Sequence, residues 1–243
     1  MEQTLANIVD KAHSLVDFED DSIFGGYPYL RGRGVTDEQI REFKIGIGPA
    51  RVRVKEESED HKKFNRQFRG KMEGQLVFPI HNASGKLRGV ETRMWEETDT
   101  RKYSQYWLSS WKEDAVFLGL PQALEAIWAT RAVFLVEGVF DFFVVQRVFP
   151  NTLCPLAARI MWTQHRFLER WCRYVVFMFD TDEKGRNFTE GAIERYNVST
   201  RDGFMVHRMA YPAKDPSALY DQWGYPRFER FLQDQASKLN LYL

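Results

Sequence analysis

The sequence predicts an α/β protein in two parts, a mixed α+β N-terminal half followed by a parallel-sheet βαβ half. Three observations predict it. From Val133 onward, short apolar runs (VFLVEG, NTLCPLA, YVVFMFD, FMVHRMAYP) alternate with helix-like stretches (DFFVVQRVF, TQHRFLERWC, GRNFTEGAIERY), as strands joined by right-handed crossovers do. Between Gln75 and Trp95 two strand-like runs flank NASG, which reads as an antiparallel hairpin around Ser84-Gly85. Residues 4–18 place Leu5, Ile8, Val9, Ala12, Leu15 and Val16 at helical spacing, so the chain opens on a helix.

Taken in order, that helix leads into GGYPYLRGRG, a Gly/Pro-containing connector, and then into VTDEQIREF. There Thr36, with Gln39 three residues on, caps a short helix. Residues 55–63, KEESEDHKK, are a solvated loop, and the hairpin follows. The two halves meet near residues 110–130. The expected segments are 1–125, a mixed α+β subdomain; 126–226, the parallel sheet; and 227–243, a helical tail.

Composition narrows the function. The formal net charge is zero, which excludes a protein that coats nucleic acid by bulk charge. Charge is uneven, however: residues 62–102 carry ten bases against five acids, so a basic face can coexist with an acidic pocket. Cys154 and Cys172 form no CxxC pair, so neither a zinc site nor a disulfide framework is expected, and a reducing cytoplasm fits. No run is apolar and long enough to span a membrane, and nothing resembles an export signal.

Chemistry is carried by acids at strand tips. Glu137 ends VFLVEG, and Asp141 opens the next helix. Asp180 and Asp182 end VVFMFDTD, two residues apart on one side of an extended chain. On adjacent strands, four carboxylates would share one crevice. Hard divalent cations, Mg²⁺ or Mn²⁺, suit such an all-oxygen cluster, and two of them can activate a hydroxyl and stabilise a leaving pyrophosphate. Any one of these acids is equally a plain helix cap; the two motifs together are more specific.

LVEGVFD and FMFDTDEKGR resemble the TOPRIM domain of DnaG-type primases, topoisomerases and several nucleases. The N-terminal half resembles the primases among them. YLRGRGVTDEQIREFKIGIGP is similar to the opening of their polymerase domain, and FRGKMEGQLVFPIHNASGKLRGVETRMW to their hairpin. RKYSQYW, VFLGLPQAL and YPAKDPSAL are similar to three later segments in the same order. The resemblance implies a DNA primase, a nucleotidyltransferase that makes short RNA primers from ribonucleoside triphosphates on single-stranded DNA. It places Glu137, Asp141, Asp180, Asp182 and Asp215 at the metal site, with Glu137, Asp180 and Asp182 catalytic and two or more Mg²⁺ or Mn²⁺ ions. It places Arg93, Lys102 and, more loosely, Lys112 in the groove beside them. Arg31, Arg33 and Arg69, with Arg66, Lys71 and Arg88, extend a basic track for the template.

The sequence departs from the family pattern at Ser217, where the family has a second acid after D-P, and at Ala158-Arg159, where it has a glycine-threonine turn. Nothing in these 243 residues reads as the zinc-binding domain that precedes the family's polymerase core, or as a substantial helicase-docking domain after it, so a minimal primase or an excised core is expected. The partners implied are single-stranded DNA, a hexameric helicase and a separate zinc-binding protein for template recognition, with no membrane. A TOPRIM nuclease and a non-catalytic primase-like module remain as alternatives. Tyr103, Tyr106, Trp107 and Trp111 serve either base stacking or packing.

Overall fold

The computed structural model describes residues 2–19, 26–48, 72–95, 103–108, 112, 114–156, 160–199 and 204–239. They form two compact units: one of residues 1–81 and 85–112, the other of residues 82–84 and 113–243.

The first unit is a helix on an antiparallel sheet. Helix α1 (Glu2–His13) buries Leu5, Ile8, Val9 and Ala12 against Val77, Leu87, Val90 and Tyr106. Each large apolar side chain so buried stabilises the unit by about 1.5–3 kcal/mol. The helix stops at His13, short of the expected residue 18, and Leu15 is 39% exposed. The reason is the neighbouring strand: at Gly46 a Cβ would lie 2.4 Å from the Ala12 carbonyl carbon, and His13 Nδ1 sits 2.8 Å from Ile45 O. Within GGYPYLRGRG, helix α2 spans Gly26–Gly32, so the expected connector is helical there; Leu30 is fully buried beneath it. Helix α3 (Asp37–Glu42) has the full capping box of Thr36 and Gln39.

Four strands follow in the order β1 (Gly46–Ile47), β2 (Leu76–Asn82), β3 (Leu87–Arg93) and β4 (Tyr103–Trp107), paired antiparallel in sequence. The β2–β3 hairpin turns where expected. Asn82 Oδ1 accepts from the Ser84 amide and hydroxyl, and Gly85 takes φ 76°, a conformation that favours glycine. The 55–63 loop lies outside the described residues.

The second unit is a parallel sheet in the order β7 (Thr152–Leu153), β6 (Ala132–Val136), β8 (Tyr174–Met178), β9 (Met205–Arg208). It is preceded by β5 (Val116–Phe117) and helix α4 (Leu120–Thr130). Between and after the strands run α5 (Val139–Gln146), α6 (Trp162–Trp171), α7 (Glu183–Ser199), α8 (Pro216–Trp223) and α9 (Tyr225–Lys238). Val133, Leu135, Val175 and Phe177 pack with Leu120, Ile127, Phe167 and Leu168. Phe134, of opposite parity, stacks on Phe149 at 3.9 Å. Burial on both faces is why β6 and β8 read as unbroken apolar runs; β9, at the sheet edge, is largely exposed, against the expectation of a buried strand. NTLCPLA supplies only a two-residue parallel strand; Cys154 then bridges antiparallel to Leu118, and Pro155 has no amide to extend a ladder. Among the described residues no helix is long and apolar enough to cross a membrane.

Candidate active site

The sheet order makes β6 and β8 direct neighbours, with Val136 opposite Met178 at their carboxyl ends. Ligand sites of open parallel sheets lie at this edge. Glu137 follows β6 directly and is half-buried; its backbone carbonyl accepts from Cys154 Sγ at 3.3 Å. Gly138 then lets α5 start at once. A Cβ there would lie 2.5 Å from Asp141 Oδ2, so only glycine leaves that carboxylate its place.

Asp141 is buried in the first turn of α5, where Oδ1 accepts from the Ser217 amide at 2.8 Å. Ser217 therefore serves the site through its backbone whatever its side chain. Its Oγ is buried beside the same carboxylate without a hydrogen-bond partner of normal geometry. Burial, and then the negative charge of Asp215, with a smaller contribution from Asp180, push the Asp141 carboxyl up to about 7; the Ser217 amide opposes this.

Asp180 lies two residues beyond β8, and burial raises its pKa most. Lys214 pulls it back, and Asp215 and Asp182 raise it further. Asp182 caps α7, accepting from the Gly185 amide at 2.8 Å, and is exposed. Asp215 caps α8, accepting from the Ala218 amide at 2.7 Å. The loop holding Asp215 is tied to the loop holding Asp180. Thr181 donates its amide to Lys214 O (2.8 Å) and its hydroxyl to Ala213 O (2.9 Å), and the Tyr211 hydroxyl donates to Phe179 O. Gly185 packs so tightly on this turn that a Cβ would fall 2.1 Å from Asp180 O.

The structure thus brings Asp141, Asp180 and Asp215 into one repelling group, with Asp182 at its edge. Sequence reasoning passed over Lys214, whose Nζ lies 3.6 Å from Asp180 Oδ2 and 3.9 Å from Asp215 Oδ2. Its only signal was the lysine directly before Asp215. Among the described residues no three His, Cys, Asp or Glu side chains stand ready-placed around a metal ion. The donor set nonetheless fits a hard cation. Its ligands are all oxygen, Asp180 and Asp215 already converge on the Lys214 ammonium, and the Ser217 hydroxyl is unsatisfied beside Asp141.

The basic candidates belong mainly to the first unit. Arg31 pairs with Asp37 at 3.4 Å and donates to Val35 O, and Arg33 follows α2. Arg93, the last residue of β3, lies over the rings of Tyr103 (4.6 Å) and Tyr29 (5.8 Å), so it lies beside α2. Arg88 is buried within β3 and presents no surface charge. Lys112 is exposed. Arg66, Arg69, Lys71, Lys102, Trp111 and Ala158-Arg159 lie outside the described residues. Tyr106 is core, whereas Tyr103 is half-exposed against Arg93.

Beside Arg93 the strand carries a group the sequence did not single out. Glu91 is 4% exposed and accepts from Gln105 Nε2 at 2.9 Å. Burial drives its carboxyl up to about 7, against the pull of Gln105 and Arg93.

Residues 134–220, which hold all five acids, match the family described as Toprim-like. The DNA primase of Deinococcus radiodurans is 24% identical over 208 residues, covering 78% of this chain and 36% of that protein. The chain spans less than half the length of the curated primases it matches. A structure of the DnaG catalytic core superposes with a TM-score of 0.79 at 20% identity, covering 96% of this chain and 79% of the other. The DnaG primase catalytic domain bound to ssDNA gives 0.76 at 21% identity, covering 96% and 81%. The fold is that of the DnaG catalytic core.

Proposed function

We propose that this chain, with its DnaG catalytic-core fold, is a DNA primase core that joins ribonucleoside triphosphates into short RNA primers on single-stranded DNA. The observation that carries the reading is the mutually repelling group of Asp141, Asp180 and Asp215 at the carboxyl ends of β6 and β8 and the start of α8. Such a group is costly to fold and useful once cations neutralise it.

In this reading Glu137, Asp141, Asp180, Asp182 and Asp215 hold two or more Mg²⁺ or Mn²⁺ ions. The ions supply charge neutralisation for the triphosphate and for the attacking 3′-hydroxyl. Asp180 and Asp215 each keep one oxygen turned toward the cation position that Lys214 now fills. Asp141 is pinned by the Ser217 amide, so its geometry is fixed before substrate arrives. Lys214, 65% exposed, is free to turn from the carboxylates to a phosphate. Arg93, Lys102 and Lys112 contact triphosphate or primer–template backbone, and Arg31, Arg33 and Arg69 hold template phosphates.

The reading also includes partners: a hexameric helicase, a zinc-binding protein that selects the start site, and a cytoplasmic setting. Cys154 and Cys172 are both buried, and two cysteines do not make a tetrahedral Cys/His site, so template selection would come from outside these residues. The test is incubation of the chain with labelled ribonucleotides, single-stranded templates of several sequences, and Mg²⁺ or Mn²⁺. Short RNA products with little sequence preference support the reading. Shortening of the template without RNA synthesis would make the chain a nuclease.

A further inference from the structure

Helix α6 carries its apolar residues inward, with Phe167 and Leu168 in the core, and presents a different ladder outward. Trp162, Arg166 and Arg170 recur every four residues, one helical face, and all three are exposed, Trp162 by 71%. Trp171, the last residue of the helix, lies on its inward side against the core, and Arg173 follows it, exposed. Trp128, on α4, is 52% exposed and lies 6.1 Å from Trp171, ring to ring. Arg131 Nη2 reaches Arg170 O at 3.5 Å, which joins the α4 and α6 ends into one patch.

Rings and guanidinium groups alternate along it. Arg166 lies over Trp162 (5.5 Å), Arg170 over Trp171 (5.2 Å) and Arg173 over Tyr174 (5.5 Å). Among the described residues none of Arg131, Arg166, Arg170 and Arg173 forms an ion pair, and the carboxylate on α6, Glu169, is turned to His165 at 3.9 Å. One feature here is unfavourable for a surface that merely meets water: the large indoles of Trp128 and Trp162 are left exposed.

We propose that the outward face of α6, with Trp128 and residues 170–174, is a binding track for single-stranded DNA, separate from the carboxylate group. The chemistry is that of sequence-tolerant strand binding, where bases stack on aromatic platforms and arginines meet phosphates. The dimensions agree. Trp162 and Arg170 are eight residues apart on one helical face, roughly 12 Å along its axis, which is between three and four stacked nucleotides at about 3.4 Å each. The choice of DNA rests on the proposed primase reading, whose template is single-stranded DNA. The exposed rings favour it over an acidic protein, which would use only the cations.

The test is fluorescence anisotropy of labelled dT20 with the full chain across a salt series. Arg166→Ala/Arg170→Ala should weaken binding about tenfold at low salt. It should also flatten the slope of log K on log salt by about 1.4, two single-strand phosphates at about 0.7 each. Trp162→Ala should weaken it roughly fivefold or more while leaving the slope alone. Arg166→Lys/Arg170→Lys should restore the slope, a rescue that a structural role would not give. All substituted side chains are exposed, so the variants should melt like the wild type. The Asp180→Ala/Asp182→Ala variant should keep the α6 contribution intact, so failure of primer synthesis and failure of the track are separable. Unchanged affinity and slope in both the arginine and the tryptophan variants would overturn the proposal. Tighter binding of rU20 than dT20 through the same residues would overturn the choice of DNA. Poly-glutamate that competes away the α6 contribution as well as dT20 does would make the face a protein site instead.

Discussion

Replacing Glu91 by Gln should stabilise the protein above neutral pH and leave it unchanged in acid. Glu91 sits buried in β3 with its carboxyl raised from an ordinary 4.5 to about 7, first by burial. Its protonated form is thus the one folding favours. That contribution is fully present below pH 4.5 and is lost as pH rises through 7. The gap is worth about 3.5 kcal/mol at about 1.4 kcal/mol per pH unit. Gln removes the titration while its side-chain oxygen still accepts from Gln105 Nε2, the 2.9 Å bond seen now. Relaxation around a buried charge lowers the figure, so the expected gain at pH 8.5 is about 2–3 kcal/mol. At roughly 2–4 °C per kcal/mol this raises Tm by about 4–12 °C. The assay is thermal melting followed by circular dichroism from pH 4 to 8.5. The difference between the two proteins isolates Glu91 from Asp141, which titrates in the same range. Parallel curves at every pH would refute the reasoning. A variant less stable than wild type at pH 8.5 would show that Arg93 holds Glu91 ionised.

Four further outcomes are expected. Asp180→Ala/Asp182→Ala should abolish primer synthesis while Tm holds or rises, because a repulsive group is relieved; synthesis by the folded variant would remove both acids from the site. Lys214→Gln should tighten Mn²⁺ binding, read by electron paramagnetic resonance, by up to about fivefold. The ammonium it removes is largely exposed and contributes at most about 1 kcal/mol of competition. Gly185→Ala should cost about 1–3 kcal/mol and displace the Asp180 turn, because the new methyl would meet Asp180 O; melting and primer yield should fall together. Arg93→Ala should weaken binding to single-stranded DNA and flatten its salt slope by about 0.7, measured by titration at several salt concentrations.

Much of the second unit was legible because β6 and β8 are covered on both faces and a helix such as α6 is amphipathic. Alternation alone therefore located β6, α5, α6, β8 and α7, and with them Glu137, Asp141, Asp180 and Asp182. The same double coverage hid Glu91. In β3 six of seven positions are buried, so a two-residue period could not say which polar side chain lay in the core, and Arg88 was taken for surface. Helix α2 was missed because its two glycines and its proline argue locally against a helix. Burial of Leu30 and the Tyr27 hydroxyl's bond to Asp37 at 3.1 Å hold it in place, contacts no local pattern carries. Lys214 needed the three-dimensional position of its loop, since a lysine before Asp-Pro reads as ordinary surface.

The hydrogen bonds that Thr181 and Tyr211 make across the two acidic loops are all to backbone carbonyls, and none uses a carboxylate. Beside the Lys214 ion pairs, the spacing of Asp180 and Asp215 is therefore held by neutral bonds that salt does not screen. Folding itself compresses the negative charges, and the work of bringing them together is already done when a cation arrives. In the proposed reading, ion binding would release tension rather than build a site. Occupancy should change the energy of these loops far more than their shape.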